Sequence, residues 1–418
     1  MTHIAHVAES FAYGTAKSVL QLARCVTGEH EVTVFHGQRQ GSEIDIQESD
    51  GVRLVPLPGW GKGKHPRNLF YLRKALRGFD VVHGHSSYGG LYAKILGPGL
   101  FGDQSVTRTL YSPRGYGFLR QDLNRVMRRA VHTIERRTAG VCTTVACGPH
   151  EAELTRRLGG RVLTINNGFT VSSPPPVSDL NREVLGVGRI CLQKGFDRFT
   201  EVARRMPSVS FRWVGDPQRA SDMPTDVPSN LTIDSYLPHD EMLRAIRRCR
   251  LIFLPSRWEG LSRFLIEAVC GGKALVTSDF PGNLDCLDRR SPGTALNGDL
   301  EECTNGFAAR TTEGYVQAIE RLMNDPERLA TAQAASEAYA AANFDIELVF
   351  RRWRSVYAAA AVGRSVGVIE SAGVVTLGTG RGPMRADGES APPVKRFSED
   401  VGRTRSIANE SAMLSQRR

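Results

Sequence analysis

The stretch PSRWEGLSRFLIEAVCGG, residues 255–272, has the form of a strand end, a polar turn and a short helix that a glycine pair stops. It carries two glutamates, Glu259 in the turn and Glu267 inside the helix. The run that leads into it, RLIFLPS, is short and apolar, as in a buried strand of a parallel sheet. Strand, glycine-containing loop and helix together form the repeating unit of doubly wound α/β folds.

The same alternation of short apolar runs and amphipathic segments continues in both directions along the chain. The strand candidates in the second half are EVLGVGRI, SVSFRWVG, NLTIDSYL, RLIFLPSR and KALVTSDF. Those in the first half are HIAHVA, HEVTVFHG, VRLVPLP, DVVHGH, SVTRTLYS, GVCTTVACG and RVLTINNG. A proline-rich stretch, SSPPPVSDLN, separates the two sets, because proline cannot continue a helix or a central strand. We therefore predict two doubly wound, Rossmann-like α/β domains in series that face each other across a cleft.

The length of 418 residues is too great for one hydrophobic core and suits two domains of roughly 150 to 200 residues each. We place the amino-terminal domain at 1–171 and the carboxyl-terminal domain at 172–343. A helix is predicted at 344–362, where DIELVFRRWRSVYAAAA has helical periodicity. Residues 363–418 are rich in glycine, serine, arginine and glutamate without lasting periodicity, which predicts a disordered tail.

The composition is that of an ordinary soluble globular protein, with 41% hydrophobic and 23% charged residues. No apolar run approaches the ~18 residues that cross a bilayer, and the first residues lack the pattern of a signal peptide. We therefore expect a cytoplasmic protein. The eight cysteines show neither CxxC pairs nor the cysteine and histidine spacing of a zinc site, so we expect them to be reduced and mostly buried.

The net charge of +10 admits three kinds of partner: nucleic acid, an anionic membrane or a phosphorylated small molecule. Residues 119–140 place six arginines among apolar residues at near-helical spacing: Arg120, Arg125, Arg128, Arg129, Arg136 and Arg137. One side of such a helix suits the inner surface of a membrane, but a solvated face with arginines paired elsewhere fits the pattern equally. Because no nucleic-acid-binding motif accompanies the arginines, we expect no nucleic-acid partner.

Ligands of open α/β sheets bind beyond the carboxyl ends of the strands, so the loops that follow the strands are the candidate sites. In VGRICLQKG, Arg189 and Lys194 lie five residues apart between a strand and a helix. Two such cations can converge on one diphosphate, next to the positive end of the helix. A pair of solvated surface residues is the alternative.

The opening stretch supplies the other half of this candidate site. Gly260 allows the backbone to approach a ligand, and Ser262 is a candidate N-cap for the helix. Glu267 lies about five residues into that helix, roughly 7.5 Å along it, which is about the reach from a diphosphate to a ribose. We interpret Glu259 as the contact to a transferred group and Glu267 as the contact to a nucleoside. The alternative is an ordinary turn residue and an exposed helix position.

The combination of GRICLQKG, PSRWEGLSRFLIEAVCGG and TSDFPGN resembles the retaining family 4 glycosyltransferases of GT-B fold, whose signature is two glutamates separated by seven residues. FDVVHGHSSYGG and TLYSPRGYGFLR are similar to segments of members that assemble bacterial cell-surface polysaccharides on lipid carriers. The resemblance covers about residues 1–361. It implies a last helix that crosses back to the amino-terminal domain.

The resemblance implies roles for individual residues. Glu259 and His85 would be catalytic, although a histidine at a strand end could equally be a packed core residue. The implied donor-binding residues are Gly14, Arg189, Lys194, Gly260, Leu261, Ser262 and Glu267. Arg114 stands where close relatives often have histidine, and we do not include it in the site.

The resemblance also implies transfer from a nucleotide-sugar with retention of anomeric configuration, by attack on the face from which the leaving group departs. The acceptor would be a saccharide, in such members a lipid-linked one. We expect no cofactor and no metal, because cations and a helix end can meet the charge of the leaving diphosphate and the sequence has no Asp-x-Asp motif. Two other classes stay open: a nucleotide-sugar epimerase of similar fold, and a noncatalytic basic scaffold that binds membrane or nucleic acid.

Overall fold

A computed structural model describes residues 1–38, 51–59, 65–98, 108–289, 295–296 and 298–363 of the chain. The strands of its first half are β1 Thr2–Phe11, β2 His30–Gln38, β3 Val52–Pro56, β4 Val81–His85, β5 Thr109–Ser112, β6 Thr143–Ala146 and β7 Arg161–Thr164. They form one parallel sheet in the order β3-β2-β1-β4-β5-β6-β7. All seven strands predicted for this half are present.

A second sheet contains the strands β8 Glu183–Val187, β9 Ser210–Val214, β10 Leu231–Asp234, β11 Leu251–Leu254, β12 Leu275–Ser278, β13 Ala295–Leu296, β14 Leu300–Cys303 and β15 Gly306–Ala309. Their order is β10-β9-β8-β11-β12-β15-β14-β13. The five predicted strands are β8 to β12, which pair in parallel with one another, and β15 also pairs in parallel with β12. The sequence analysis did not predict the other three, of which β14 pairs antiparallel with both of its neighbours.

The described helices are α1 Tyr13–Arg24, α2 His65–Ala75, α3 Ser86–Leu96, α4 Arg125–Thr138, α5 Pro149–Arg157, α6 Phe196–Arg205, α7 His239–Arg248, α8 Arg263–Cys270, α9 Pro281–Leu284, α10 Thr312–Asn324, α11 Pro326–Asn343 and α12 Ile346–Ala361. The predicted basic helix at 119–140 is thus shorter, because a 3-10 turn ends at Leu119 and Asn124 caps α4 through its side chain.

Helices cover both faces of the first sheet because side chains alternate along its strands. Ile4 and Ala8 of β1 pack in one core with α1 and α12, whereas Ala5 and Val7 pack in another with α2 and α3. The second sheet has a larger continuous core, centred on β8, β11 and β12. Two such sheets form the doubly wound architecture that the alternating pattern predicted.

The last helix, α12, belongs to the core of the first sheet although it follows the second sheet in the chain. Its residues Val349, Trp353, Val356 and Tyr357 are buried there. The fold class is therefore confirmed, including the crossing of the last helix. Strand β7 ends before and β8 begins after the domain boundary placed between 171 and 172, which stays a prediction.

The cysteine prediction is confirmed, since all eight cysteines are free and all but Cys25 and Cys191 are buried. Within the described part of the chain, no helix combines the length and apolar character needed to cross a membrane. The predicted disordered tail falls, apart from its first residue, on 364–418 and so lies outside the described residues.

Candidate active site

A cleft of about 880 Å³ lies between the two sheets, where loops from the carboxyl ends of their strands meet. Its lining includes Ser86, Arg114, Arg189, Gln218, Glu259 and Gly260. Ser86 begins α3 directly after β4 and Arg114 lies in the loop after β5, whereas loops of the second sheet supply the others. The cleft therefore joins both halves of the chain. Of the site residues predicted from the sequence, Arg189, Glu259 and Gly260 line it, whereas Gly14 and His85 do not.

Lys194 and Glu259 form an ion pair across the second sheet's side of the cleft. Lys194 Nζ donates to Glu259 Oε1 at 2.6 Å, and the side chains are 17% and 9% exposed. Arg189 Nη1 donates to Gln218 Oε1 at 2.8 Å in the same region. The cation predicted for a diphosphate is thus paired with the carboxylate predicted for a sugar, so an anionic ligand would compete with Glu259 for Lys194.

Gly260 brings the turn before α8 into contact with the first sheet. A Cβ atom on Gly260 would lie 2.5 Å from the backbone nitrogen of Gly115 and 2.7 Å from the carbonyl carbon of Arg114. Because both atoms belong to the backbone, no side-chain movement would relieve such a clash. Gly260 thus allows a close contact between the two halves of the molecule, and its predicted approach to a ligand stays a prediction.

The turn continues into α8 through Leu261 and Ser262, both buried. Ser262 occupies the N-cap position, as predicted, but its side chain makes no capping hydrogen bond. Its hydroxyl oxygen is buried and has no partner among the described residues. The amino end of α8 thus lacks a side-chain cap, which leaves its backbone amides suited to an anionic ligand.

Glu267 and Gly14 belong to a second group, centred on Arg263. The guanidinium of Arg263 lies 3.7 Å from Glu267 Oε1 and donates to Ser18 Oγ at 2.6 Å. A Cβ atom on Gly14 would lie 3.1 Å from Cδ of Arg263. Burial raises the pKa of Glu267, and Arg263 opposes this shift. Glu267 is only 12% exposed, so it is not the exposed helix position of the alternative interpretation.

His85 lies behind the cleft rather than in it, since its side chain is completely buried. Arg114 lines the cleft and directs Nε at His85 Nδ1, at 3.4 Å. The other nitrogen of His85, Nε2, lies 2.9 Å from His6 Nδ1. Burial, together with the positive charge of Arg114 and the neighbouring histidines, keeps the pKa of His85 well below 6.5. His85 is therefore a neutral imidazole with both nitrogens occupied.

A chain of hydrogen bonds continues from His85 into the first sheet. The hydroxyl oxygen of Tyr357 lies 3.5 Å from His6 Nε2 and 2.6 Å from His83 Nδ1. The other nitrogen of His83, Nε2, lies 3.0 Å from Ser112 Oγ, and Ser112 donates to the Val145 carbonyl. A guanidinium only donates and a carbonyl only accepts, so the two ends assign one direction to every bond between them. Accordingly, His85 accepts at Nδ1 and carries its proton on Nε2.

The histidines His6, His83 and His85 are the described group whose nitrogen atoms lie close enough to ligate one metal ion, within 4.8 Å of one another. Their nitrogens are already used by the chain of hydrogen bonds, and the cation Arg114 lies beside them. A metal ion would have to break that chain next to a positive charge. We therefore assign these histidines no metal.

Arg114 is the cleft residue that sequence reasoning left out. Its backbone has φ 54°, a left-handed conformation that non-glycine residues seldom adopt. Only its departure from the family pattern marked it in the sequence, although it follows a strand end as the other site residues do. The hydrogen-bond partner of Arg114, His85, lies 29 residues earlier in the chain. The pairing of β4 with β5 brings the two residues together.

Two family models match the chain, a glycosyl transferase 4-like domain over residues 13–168 and glycosyl transferases group 1 over residues 176–339. The chain belongs to the family 4 glycosyltransferases of GT-B fold. This glycosyltransferase is 25% identical to the UDP-Gal:alpha-D-GlcNAc-diphosphoundecaprenol alpha-1,3-galactosyltransferase of Escherichia coli, over 63% of this chain and 71% of the relative. It is 30% identical to the alpha-D-kanosaminyltransferase of Streptomyces kanamyceticus, but that match spans only 34% of this chain and 37% of the relative.

Solved structures show the same fold as this glycosyltransferase. The sucrose-phosphate synthase of Thermosynechococcus elongatus superposes with a TM-score of 0.69 at 18% identity, over 86% of this chain and 98% of that protein. HepE of Anabaena, crystallised in complex with UDP-glucose, gives a TM-score of 0.66 at 15% identity, over 86% of this chain and all of that one.

Proposed function

We propose that this protein transfers a sugar from a nucleotide-sugar, with retention of anomeric configuration, to a lipid-linked saccharide during assembly of a cell-surface polysaccharide. The observation that carries the proposal is the ion pair of Lys194 with Glu259, a residue of the cleft wall that Arg189 also lines. Two cations and a carboxylate at one side of a cleft suit a sugar diphosphate. Binding of HepE to UDP-glucose supports a nucleotide-sugar as the ligand class.

The leaving group is the nucleoside diphosphate, whose negative charge grows as the bond from the anomeric carbon to the phosphate oxygen breaks. Arg189, Lys194 and the backbone amides at the amino end of α8 would stabilise that charge without a metal ion. The acceptor oxygen forms the new bond to the anomeric carbon on the same face. Its proton passes to the departing phosphate oxygen, so the charges balance.

Glu259 is assigned to the transferred sugar and Glu267 to the ribose. Glu259 lies in the cleft wall and accepts a hydrogen bond from Lys194, which supports a role next to the diphosphate. Glu267 lies further along α8, which agrees with a contact to the nucleoside of the donor. Gly14 and Glu267 both lie close to the side chain of Arg263. His85 acts as a positioning residue, because its ring reaches the cleft only through Arg114.

The acceptor end of the cleft has an apolar wall. Tyr88 and Leu91 of α3 face the cleft together with Met127, Val131 and Ile134 of α4. The last three follow one side of a helix whose other exposed residues include arginines. A lipid chain fits that wall, and the arginines fit anionic headgroups at the inner face of a membrane. The Escherichia coli relative, named for a diphosphoundecaprenol-linked substrate, supports an acceptor of this kind.

Calorimetric titration with UDP, GDP, dTDP and ADP tests the donor site. We expect one nucleotide to bind selectively, and we expect Glu267→Ala to weaken that binding while Glu320→Ala, an exposed change on α10, does not. Failure of folded protein to bind any of the four would reject the donor site. It would instead favour the basic scaffold.

Product analysis distinguishes transfer from epimerisation. With the nucleotide-sugar that carries the selected base, a transferase needs an acceptor to release nucleotide and form a glycoside. An epimerase would release free nucleotide without one. Glu259→Ala should abolish turnover and leave binding to anionic vesicles unchanged, because α4 is untouched.

A further inference from the structure

Arg114 is one of the residues that line the cleft, and its guanidinium has no carboxylate partner among the described residues. No carboxylate oxygen of the described residues lies within 4.0 Å of it, and its hydrogen bonds are long ones to neutral groups, His85 at 3.4 Å and Asn167 Oδ1 at 3.3 Å. Glu151 acts on Arg114 through its charge, but its carboxylate accepts from the backbone nitrogens of Gly115 and Cys147. Among the described residues, Arg114 therefore has no carboxylate in direct contact with its guanidinium.

Two further properties distinguish Arg114 from a surface arginine. Its guanidinium lies against the fully buried His85, so water solvates it poorly, and this burial lowers the pKa of Arg114. Its backbone holds the strained φ of 54°, and such strain persists mainly where the surrounding structure holds a functional side chain in place. An unpaired, poorly solvated cation is unfavourable unless a ligand supplies the opposite charge.

The position of Arg114 indicates which part of the ligand would supply that charge. Its backbone packs directly on Gly260, the residue after Glu259, so it lies at the end of the cleft assigned to the transferred sugar. The diphosphate already has Arg189, Lys194 and the amino end of α8. A planar guanidinium matches a carboxylate because it can donate two parallel hydrogen bonds.

We propose that Arg114 is a specificity-determining residue that selects a sugar bearing a carboxylate, a hexuronate, in the transfer site. This inference rests on the proposed function. The carboxylate belongs either to the transferred sugar of the donor or to the terminal sugar of the acceptor, and both sources place it between Arg114 and Glu259. Replacement by glutamine keeps hydrogen bonding and removes the charge, so Arg114→Gln is the informative variant.

The donor arm compares UDP-glucuronate with UDP-glucose by calorimetry, or GDP-mannuronate with GDP-mannose if GDP is the nucleotide that binds. We expect the wild-type protein to prefer the uronate by roughly tenfold or more. Arg114→Gln should abolish the preference and leave the affinity for the bare nucleotide unchanged. Arg205→Gln, which removes an equal charge from a surface ion pair on α6, should keep the preference.

The acceptor arm titrates nucleotide-saturated protein with methyl glucuronide and with methyl glucoside. A preference for the glucuronide that Arg114→Gln abolishes would place the carboxylate on the acceptor. The inference is overturned if neither arm shows such a preference, or if Arg114→Gln weakens binding of the bare nucleotide, because Arg114 would then contact the diphosphate. If the folded protein binds none of the four nucleotides, the proposed function itself is overturned. The calorimetric titration with nucleotides shows this before either arm begins.

Thermal unfolding shows whether the variant folds. The change removes a poorly solvated cation but also the donor to His85 Nδ1, so we expect one cooperative unfolding transition with a Tm close to that of the wild type. Loss of the cooperative transition would mean that the variant does not fold, and Arg114→Lys, which keeps the charge without the fork, then takes its place and should weaken the preference for the uronate.

Discussion

At the residue scale, the donor site depends on the ion pair between Lys194 and Glu259, whose atoms are 2.6 Å apart and largely shielded from water. Removing either partner leaves the other charge half-buried and alone. We expect Glu259→Gln and Lys194→Gln each to lower the free energy of unfolding by roughly 1–3 kcal/mol. The double variant should lose less than the sum of the two.

Urea unfolding and initial rates measure this coupling. The value of kcat/KM should fall by about a hundredfold or more in each single variant, because Lys194 is assigned to the leaving diphosphate and Glu259 to the transferred sugar. The exposed pair Arg157 and Glu153 provides a control, and Glu153→Gln should change the free energy of unfolding by at most about 0.5 kcal/mol. Additive effects of Lys194 and Glu259 would show that the two are not coupled.

A second prediction at this scale concerns the contact between Gly260 and Gly115. The Cβ atom of Gly260→Ala would meet backbone atoms of the other half of the molecule at 2.5 Å and 2.7 Å. We expect the variant to hold the cleft further open and to lose at least about tenfold in kcat/KM, since reacting groups must be held closely. Gly140→Ala, where nothing lies within 4 Å, is the control. An unchanged radius of gyration in small-angle scattering with saturating nucleotide would contradict the explanation.

The residue scale is also where sequence reasoning was least complete. The positions of Arg189 and Glu259 at the cleft were predictable because each follows a strand whose carboxyl end must face the cleft. Two relations were not predictable from spacing: the pairing of Lys194 with Glu259, and the placement of Arg114 in front of His85. Both depend on contacts between distant loops that only the assembled sheets create.

At the element scale, α12 contributes a hydroxyl group to the buried histidines of the first sheet. Tyr357 is completely buried, and its oxygen bridges His83 and His6. Tyr357→Phe would leave His83 Nδ1 buried without a partner, so we expect a loss of about 1–3 kcal/mol in the free energy of unfolding. Tyr236→Phe removes an exposed hydrogen bond to Lys17 and should cost much less. Equal losses in the two variants would mean that the buried bridge contributes nothing.

The helix α4 presents an apolar side that the protein leaves uncovered: Val126, Met127 and Ile134 are 76%, 50% and 47% exposed. If this side binds lipid, the double change Met127→Gln and Ile134→Gln should weaken sedimentation with phosphatidylglycerol vesicles at least about tenfold. Val227→Gln and Leu243→Gln, changes at exposed apolar residues outside the cleft lining, serve as controls. Equal binding by both double variants would favour the solvated interpretation of the arginine-rich helix.

Prediction of elements succeeded where the pattern was strong. Strands β1 to β12 are apolar runs between polar turns, and each was found. Strands β13 to β15 were missed because LEEC and GFAA are too short and too weakly alternating to stand out, and pairing along the sheet edge holds them. The crossing of α12 followed from the resemblance, since helical periodicity does not reveal which sheet a helix covers.

At the scale of the whole molecule, buried titratable groups make stability depend on pH in two opposing ways. Burial lowers the pKa of His6 to about 3, so below pH 6.5 the unfolded chain takes up a proton that the folded chain refuses. Each such histidine lowers the free energy of unfolding by about 1.4 kcal/mol for every pH unit of acidification. His83 and His85 act in the same direction.

Asp285 acts in the opposite direction. It accepts from the backbone nitrogen of His150 at the contact between α5 and α9, and burial raises its pKa to about 6. Between pH 6 and 4 the folded chain therefore takes up a proton before the unfolded chain does, which stabilises the fold on acidification. Among these four groups the three histidines outweigh the single acid, and we expect their combined effect to lower stability from pH 6.5 downward.

Denaturant unfolding at pH 7, 6 and 5 tests this balance through two variants. His6→Asn removes one group that resists protonation, so its free energy of unfolding should fall less steeply than that of the wild type, by up to about 1.4 kcal/mol per pH unit. Asp285→Asn removes the opposing group and should make the fall steeper between pH 6 and 5. His3→Asn, a change at an exposed histidine, provides the reference. Parallel curves for all four proteins would show that these buried groups titrate alike in the folded and unfolded chains.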